Sequence, residues 1–211
     1  MKKILVTQRL IKNENYEEIR DALDVNWAKL FMELNYLPIL LPTYFNFRDY
    51  FDNFKIDGIF LTGGNDLSSV NNNLLSIDRD KFEKSLIEYG CEKSIPIFGV
   101  CRGMQLIAEF FGSDFKLVQN HVNIRHDLLP DNNSRYIKEI VEIREVNSFH
   151  NYAINYLADS LQVVCTSEDG VIEAIEHKSL PIFGQMWHTE REKSFPEPEL
   201  NLIKLFFEGV K

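Results

Sequence analysis

Residues 95–105 read Ile-Pro-Ile-Phe-Gly-Val-Cys-Arg-Gly-Met-Gln, and few folds can accommodate that string. An apolar run stops at Gly99-Val100, a single cysteine follows, and Gly103 opens an amphipathic stretch that reaches Phe111. The pattern predicts a buried strand, a turn of minimal length and a helix, with Cys101 at the bend. Glycines two residues either side of the cysteine suit a turn whose backbone is strained and whose neighbours come close. A thiol at the start of a helix sits at the positive end of the helix dipole, where negative charge is stabilised. A lone cysteine is more often a buried structural residue. Here the glycine spacing and the strand-to-helix context favour a nucleophile instead.

The rest of the first half repeats the alternation. Residues 3–7, 37–41, 57–62 and 95–100 read as short apolar strands. Between them, residues 16–35 carry Ile19, Leu23, Trp27, Leu30, Phe31 and Leu34 near a 3.6 period and predict a helix. Residues 47–54, 78–92 and 102–111 predict three more. Strands that are apolar throughout and alternate with helices argue for a parallel sheet covered on both faces. The second half differs. Residues 136–146 and 171–176 alternate apolar and polar, and 161–166 form a more continuous strand, so mixed or antiparallel pairing is expected there. Pro196 precedes a final helix over 199–208. The polar stretches 68–76 and 121–134 are expected to be loops. No composition shift marks a boundary, so residues 1–211 are read as one domain.

A thiolate nucleophile requires a base, and the base an orienting group. Residues 180–190 form another apolar strand that runs into His188, with Glu190 two positions on. In an extended or turning segment, residues i and i+2 point the same way, so Glu190 can hold one imidazole nitrogen while the other faces Cys101. Of the five histidines, this one alone ends a strand with a carboxylate so placed. Acyl transfer further needs donors for a developing oxyanion. Residues 56–66 form a strand that ends in Gly63-Gly64, at the carboxyl edge where open α/β sheets gather their sites. An amide there and the amide of Arg102 are the candidate donors.

Composition limits the classes. A net charge of −9 argues against a broad nucleic-acid footprint. No run approaches the ~18 apolar residues of a membrane span, and the apolar run after Met1-Lys2-Lys3 is too short for a signal sequence. Three cysteines without paired spacing suit a reducing, cytoplasmic setting. There is no CxxC or HxxxH spacing, so neither a metal site nor a cofactor is expected.

Taken together, the motifs Thr62-Gly63-Gly64-Asn65-Asp66, Gly99-Val100-Cys101-Arg102-Gly103-Met104-Gln105, Val146-Asn147-Ser148-Phe149-His150 and Trp187-His188-Thr189-Glu190 resemble those of the class I glutamine amidotransferases, and within them the free-standing gamma-glutamyl hydrolase branch. The resemblance implies a flavodoxin-like, doubly wound, mostly parallel α/β sheet with helices on both faces. It implies a Cys101-His188-Glu190 triad and an oxyanion hole from the Gly64 and Arg102 amides. It also implies that Gln105 and the segment Asn147, Ser148, Phe149 and His150 hold the glutamyl group. The branch usually has His-Pro-Glu where this chain has His188-Thr189-Glu190, and loss of the proline predicts a looser turn.

The implied reaction is cysteine-dependent hydrolysis of a gamma-glutamyl amide to release glutamate from a small molecule. Within the branch the sequence resembles enzymes that hydrolyse gamma-glutamyl-CDP-amidate in capsule phosphoramidate synthesis. A diphosphate in the substrate needs cations, and Arg9, Arg102, His121, Arg125 and His126 are the candidates. Competing readings are a glutaminase subunit that passes ammonia to a separate synthase, a hydrolase of another gamma-glutamyl amine such as gamma-glutamyl-aminobutyrate, and a non-catalytic binding module. The intact Cys, His and Glu set argues against the last. Monomer and homodimer both stay open.

Overall fold

The computed structural model describes residues 1–209. An eight-stranded sheet crosses it in the order Tyr36–Leu40, Lys2–Val6, Gly58–Leu61, Ile97–Val100, Ile182–Gln185, Ile172–His177, Leu161–Thr166 and Leu129–Pro130. The first five strands run parallel and the last three join antiparallel. Helices Val25–Glu33, Ile137–Glu142 and Glu197–Glu208 pack on one face, and Arg48–Asn53, Leu74–Lys93 and Arg102–Phe110 on the other. This is the expected doubly wound, mostly parallel α/β architecture.

The two-residue period of the strands divides the core. Phe60, Phe98 and Phe183 are in register on adjacent strands and stack at 5.1 and 5.2 Å. Phe206 and Phe207 of the last helix close over them. Residues one step along, Ile59, Leu61, Ile97 and Ile182, face the opposite layer with Leu86, Ile87 and Ile107. Buried on both sides, these strands are held in register by packing, and their carboxyl ends are brought to one rim of the sheet.

Four expectations fail locally. The helix expected over 16–35 is a helix only at Val25–Glu33, where Asp24 caps the Asn26 amide; Ile19–Ala22 instead pairs with Arg9–Lys12 as an exposed hairpin. The helical period there was carried mainly by Trp27, Leu30 and Phe31, which alone are buried in the helix. The strand pattern over 136–146 splits into a short helix, Ile137–Glu142, and a strand, Glu145–Phe149. The loop expected over 121–134 contains strand Val122–Asp127, which pairs antiparallel with Glu145–Phe149 outside the main sheet. Tyr152–Tyr156 likewise pairs with Asp114–Leu117. Strands Asp114–Leu117 and Val122–Asp127 of these ribbons are mostly exposed, so neither shows the clean alternation that marks a half-buried strand. The polar loop 68–76 is shorter than expected, because Asn73 caps a helix that begins at Leu74.

Candidate active site

Cys101 is the hinge between strand Ile97–Val100 and helix Arg102–Phe110, with φ 52° and ψ −107°. A non-glycine residue in that conformation is strained, and surrounding structure must hold it there. The Cys101 amide donates to Gln185 O at 2.7 Å, which fixes the elbow to the neighbouring strand. The two flanking glycines let the chain turn so sharply. A Cβ on Gly103 would stand 2.2 Å from Leu61 O, and one on Gly99 would stand 2.6 Å from the Gly103 carbonyl carbon. The first turn of the helix leaves its amides, that of Arg102 included, without intrahelical acceptors.

His188 follows strand Ile182–Gln185, almost wholly buried, and its Nδ1 is 2.6 Å from Glu190 Oε1. His188 Nε2 has no hydrogen-bond partner among the described residues. A Cβ placed on Gly63 would touch both the His188 ring and the Cys101 Cβ, at 3.0 and 3.6 Å, so the three residues converge. Burial pushes the His188 pKa down, but the neighbouring Cys101 and Glu190 outweigh it and raise it to about 9. An imidazolium is thereby stabilised beside the sulfur.

The backbone of His188 is clamped. Its amide donates to Asn147 Oδ1 at 2.9 Å, and Asn147 Nδ2 donates back to His188 O at 2.9 Å and to Glu192 Oε1 at 2.7 Å. Thr189, where a looser turn was expected, pins it instead. Its hydroxyl donates to the buried Glu199 carboxyl at 2.5 Å and accepts from Gln185 Nε2 at 3.2 Å. A side-chain hydroxyl here supplies by hydrogen bonding the rigidity that a proline ring would supply covalently.

Gly64 sits with φ 82° at the end of strand Gly58–Leu61. Beneath it lies a network that sequence reasoning missed. The buried Arg79 guanidinium donates to Thr62 O at 2.8 Å, Gly63 O at 3.1 Å and Gly64 O at 2.7 Å, and pairs with Glu83 at 2.9 Å. Arg102 extends the network through its side chain to Asp80 and Glu83. Its guanidinium is therefore committed to carboxylates and not open to a diphosphate.

A cleft of about 240 Å³ is lined by Gly64, Cys101, Gln105, Phe149, Tyr152 and His188, among others. The structure brings Gln105 to its wall, with Nε2 donating to Tyr152 O at 2.9 Å. Phe149 is also on the wall, with its ring edge-on to His188 at 5.9 Å. Ser148 is fully buried and its hydroxyl donates to His121 O at 2.7 Å. The side chains of Asn147 and Ser148 thus brace the protein, and that of His150 has Nε2 3.4 Å from buried Glu173.

Among the cation candidates, Arg9 lies against Gly64, exposed, and with Thr62, Gly63, His188 and Arg191 lines an adjoining recess. Arg125 is taken by Glu145 and Glu192, and His121 and His126 turn inward toward Glu173. Arg191, which was not singled out from the sequence, lines both the cleft and the recess and stacks over Phe149 at 4.5 Å. Its place directly after Glu190 was the available signal.

Comparison with known proteins places the chain by sequence and by fold. The model of the family described as Peptidase C26 matches residues 4–190. A gamma-glutamyl-CDP-amidate hydrolase of Campylobacter jejuni is 38% identical over 98% of this chain and 98% of its own. The protein NtpR of Enterococcus hirae is 31% identical over 81% of this chain and 82% of its own. In fold, a glutamine amidotransferase of Thermotoga maritima superposes with a TM-score of 0.65 at 18% identity, over 90% of this chain and 76% of that one. No described helix is long and apolar enough to cross a membrane.

Proposed function

The chain is a member of the Peptidase C26 family, and from that premise we propose that it hydrolyses a gamma-glutamyl amide through a Cys101 thioester. The observation that carries this reading is the strained Cys101 elbow, with φ 52°, facing a histidine whose other nitrogen is held by Glu190 at 2.6 Å. The Cys101 sulfur attacks the side-chain amide carbonyl. The tetrahedral oxyanion is received by the Gly64 and Arg102 amides, each donor contributing about 10²–10³ in rate. His188 transfers its proton to the departing nitrogen, and the C–N bond breaks to leave the acyl-enzyme. The same imidazole, now neutral, takes a proton from water as it attacks the thioester, and glutamate leaves with the thiol restored.

Gln105 and the Ser148-Phe149 backbone hold the glutamyl head against one wall of the cleft, with Asn147 and His150 setting where that backbone lies. The leaving amine extends past Gly64 toward Arg9 and Arg191. Two guanidinium groups at that rim suit a leaving group with phosphates. With the Campylobacter relative matched over nearly the whole of both chains, the substrate we assign is gamma-glutamyl-CDP-amidate, giving glutamate and cytidine diphosphoramidate, a reaction of capsule phosphoramidate synthesis.

The test is glutamate release from gamma-glutamyl-CDP-amidate, gamma-glutamyl-aminobutyrate, a gamma-glutamyl anilide and glutamine. Strong preference for the nucleotide conjugate, abolished in a folded Cys101→Ala variant, is the expected result. Undiminished turnover in that variant would sink the thioester mechanism. Glutamine as the sole substrate would turn the assignment to a glutaminase subunit with a separate synthase.

A further inference from the structure

One buried cluster supplies no reacting group to the chemistry above. His121 Nδ1, His126 Nε2 and His150 Nε2 lie 3.5, 3.3 and 3.4 Å from a single oxygen, Glu173 Oε1. Glu173 is fully buried, and His121 and His150 nearly so. All four of these atoms lack a hydrogen-bond partner among the described residues.

The outer nitrogen of each imidazole faces an acceptor. His121 Nε2 is 3.0 Å from Asp169 Oδ2, His150 Nδ1 is 3.2 Å from Tyr152 O, and His126 Nδ1 is 3.4 Å from Asp127 O. A backbone carbonyl or an ionised carboxylate only accepts. The proton of each neutral ring therefore sits on the outer nitrogen, and the inner one presents a lone pair. With the rings neutral, these lone pairs and Glu173 Oε1 make a donor set for a cation. The distances from His121 and His150 to Glu173 Oε1, 3.5 and 3.4 Å, are those between two donors ~2.0–2.2 Å from a tetrahedral zinc. The outer contacts are also those that orient metal-bound imidazoles.

We propose that His121, His150 and Glu173, whose ligand atoms all lie within 4.8 Å of one another, form a structural site for a divalent transition metal of the zinc class. The geometry meets the requirement for deprotonated ligands. Glu173 and Asp169 together balance the charge of a dication.

The metal joins three segments that the main sheet does not hold together. Glu173 belongs to strand Ile172–His177, His121 directly precedes the ribbon strand Val122–Asp127, and His150 follows strand Glu145–Phe149. His121 O accepts from both Ser148 Oγ at 2.7 Å and His150 N at 2.9 Å. The site therefore buttresses the segment that presents Phe149 to the cleft. No local spacing reveals it, because the ligands are dispersed along the chain, and the sequence expectation of no metal is revised on this ground.

The test is metal content by mass spectrometry of protein grown in zinc-supplemented medium and dialysed without chelator, for the wild type, Cys101→Ala, His150→Ala and Glu173→Gln. About one zinc per chain is expected in the first two and a loss of most of it in the last two. Cobalt exchanged into the wild type should give the intense visible bands of a tetrahedral ion without a sulfur charge-transfer band. A chelator should lower the Tm and zinc restore it. Folded wild type that carries no metal and gains no Tm from added zinc overturns the proposal, as does metal that disappears with Cys101. None of these readouts uses a substrate, so they stand or fall apart from the hydrolase reading.

Discussion

Arg79 reaches from the long helix Leu74–Lys93 to Gly64 O at 2.7 Å, so a buried guanidinium joins the bonds of Thr62 to Thr7 and of Asn65 to Leu10 in setting where the glycine turn lies. The proposed oxyanion donor thus depends on a residue that touches no substrate.

Replacing Arg79 by Met should destabilise the protein by about 3–5 kcal/mol, because Glu83 and three backbone carbonyls lose a buried partner. Arg79→Lys keeps the charge but not the planar fork, so it should retain more stability while kcat still falls. Urea denaturation together with separate kcat and KM values decides this. A variant with normal kcat and only lower stability would leave Arg79 a purely structural residue.

The pH profile follows from His188. Its pKa in the fold is raised from 6.5 to about 9, so the imidazolium stabilises the folded site fully below pH 6.5 and loses that contribution as pH rises through 9. Hydrolysis, which needs that proton for the leaving nitrogen, should show an alkaline limb near pH 9. Glu190→Gln removes one of the charges that raise the pKa, and the limb in kcat/KM should move to lower pH. A limb that does not move would detach Glu190 from the base.

Glu199 behaves in the opposite sense from an ordinary surface carboxylate. Burial raises its pKa from 4.5 to about 7, so the folded protein holds this proton more tightly than the unfolded chain. Its contribution to stability is present below pH 4.5 and declines as pH rises through 7. Glu199→Gln keeps an acceptor for Thr189 and should remove the slope, raising stability at pH 8 by at most about 3 kcal/mol with little change at pH 5. Thermal melts across that range provide the check.

Arg9 separates substrates. Because it lies exposed against Gly64 at the rim, Arg9→Ala should raise KM for gamma-glutamyl-CDP-amidate by about 10- to 100-fold. Turnover of a gamma-glutamyl anilide should hardly change. Equal losses on both substrates would assign Arg9 to the glycine turn and not to the leaving group.

Much of this was legible in the chain order of residues. The elbow around Cys101 could be read because its chemistry is local: a strand, two glycines and a helix within a dozen positions. The His188-Glu190 pair is local too, two residues apart and joined at 2.6 Å. The helix Leu74–Lys93 was partly hidden because its buried face carries Arg79, Asp80 and Glu83 beside Leu86 and Ile87. Periodicity finds apolar stripes, and this stripe is half charged.

What the sequence by itself determined is the set of elements whose signal lies within a few residues: the apolar strands of the sheet, the strained cysteine turn and the histidine–glutamate couple. Strand and helix periods are local, and burial on both faces leaves parallel strands little freedom of register. What only the tertiary structure decided are the partners drawn from distant positions. Among them are Arg79 under Gly64, Asn147 clamping His188, Thr189 tied to Glu199, and three histidines turned onto Glu173. Buried polar groups take whichever partner the packed elements bring within reach, and that geometry exists only once the layers have closed.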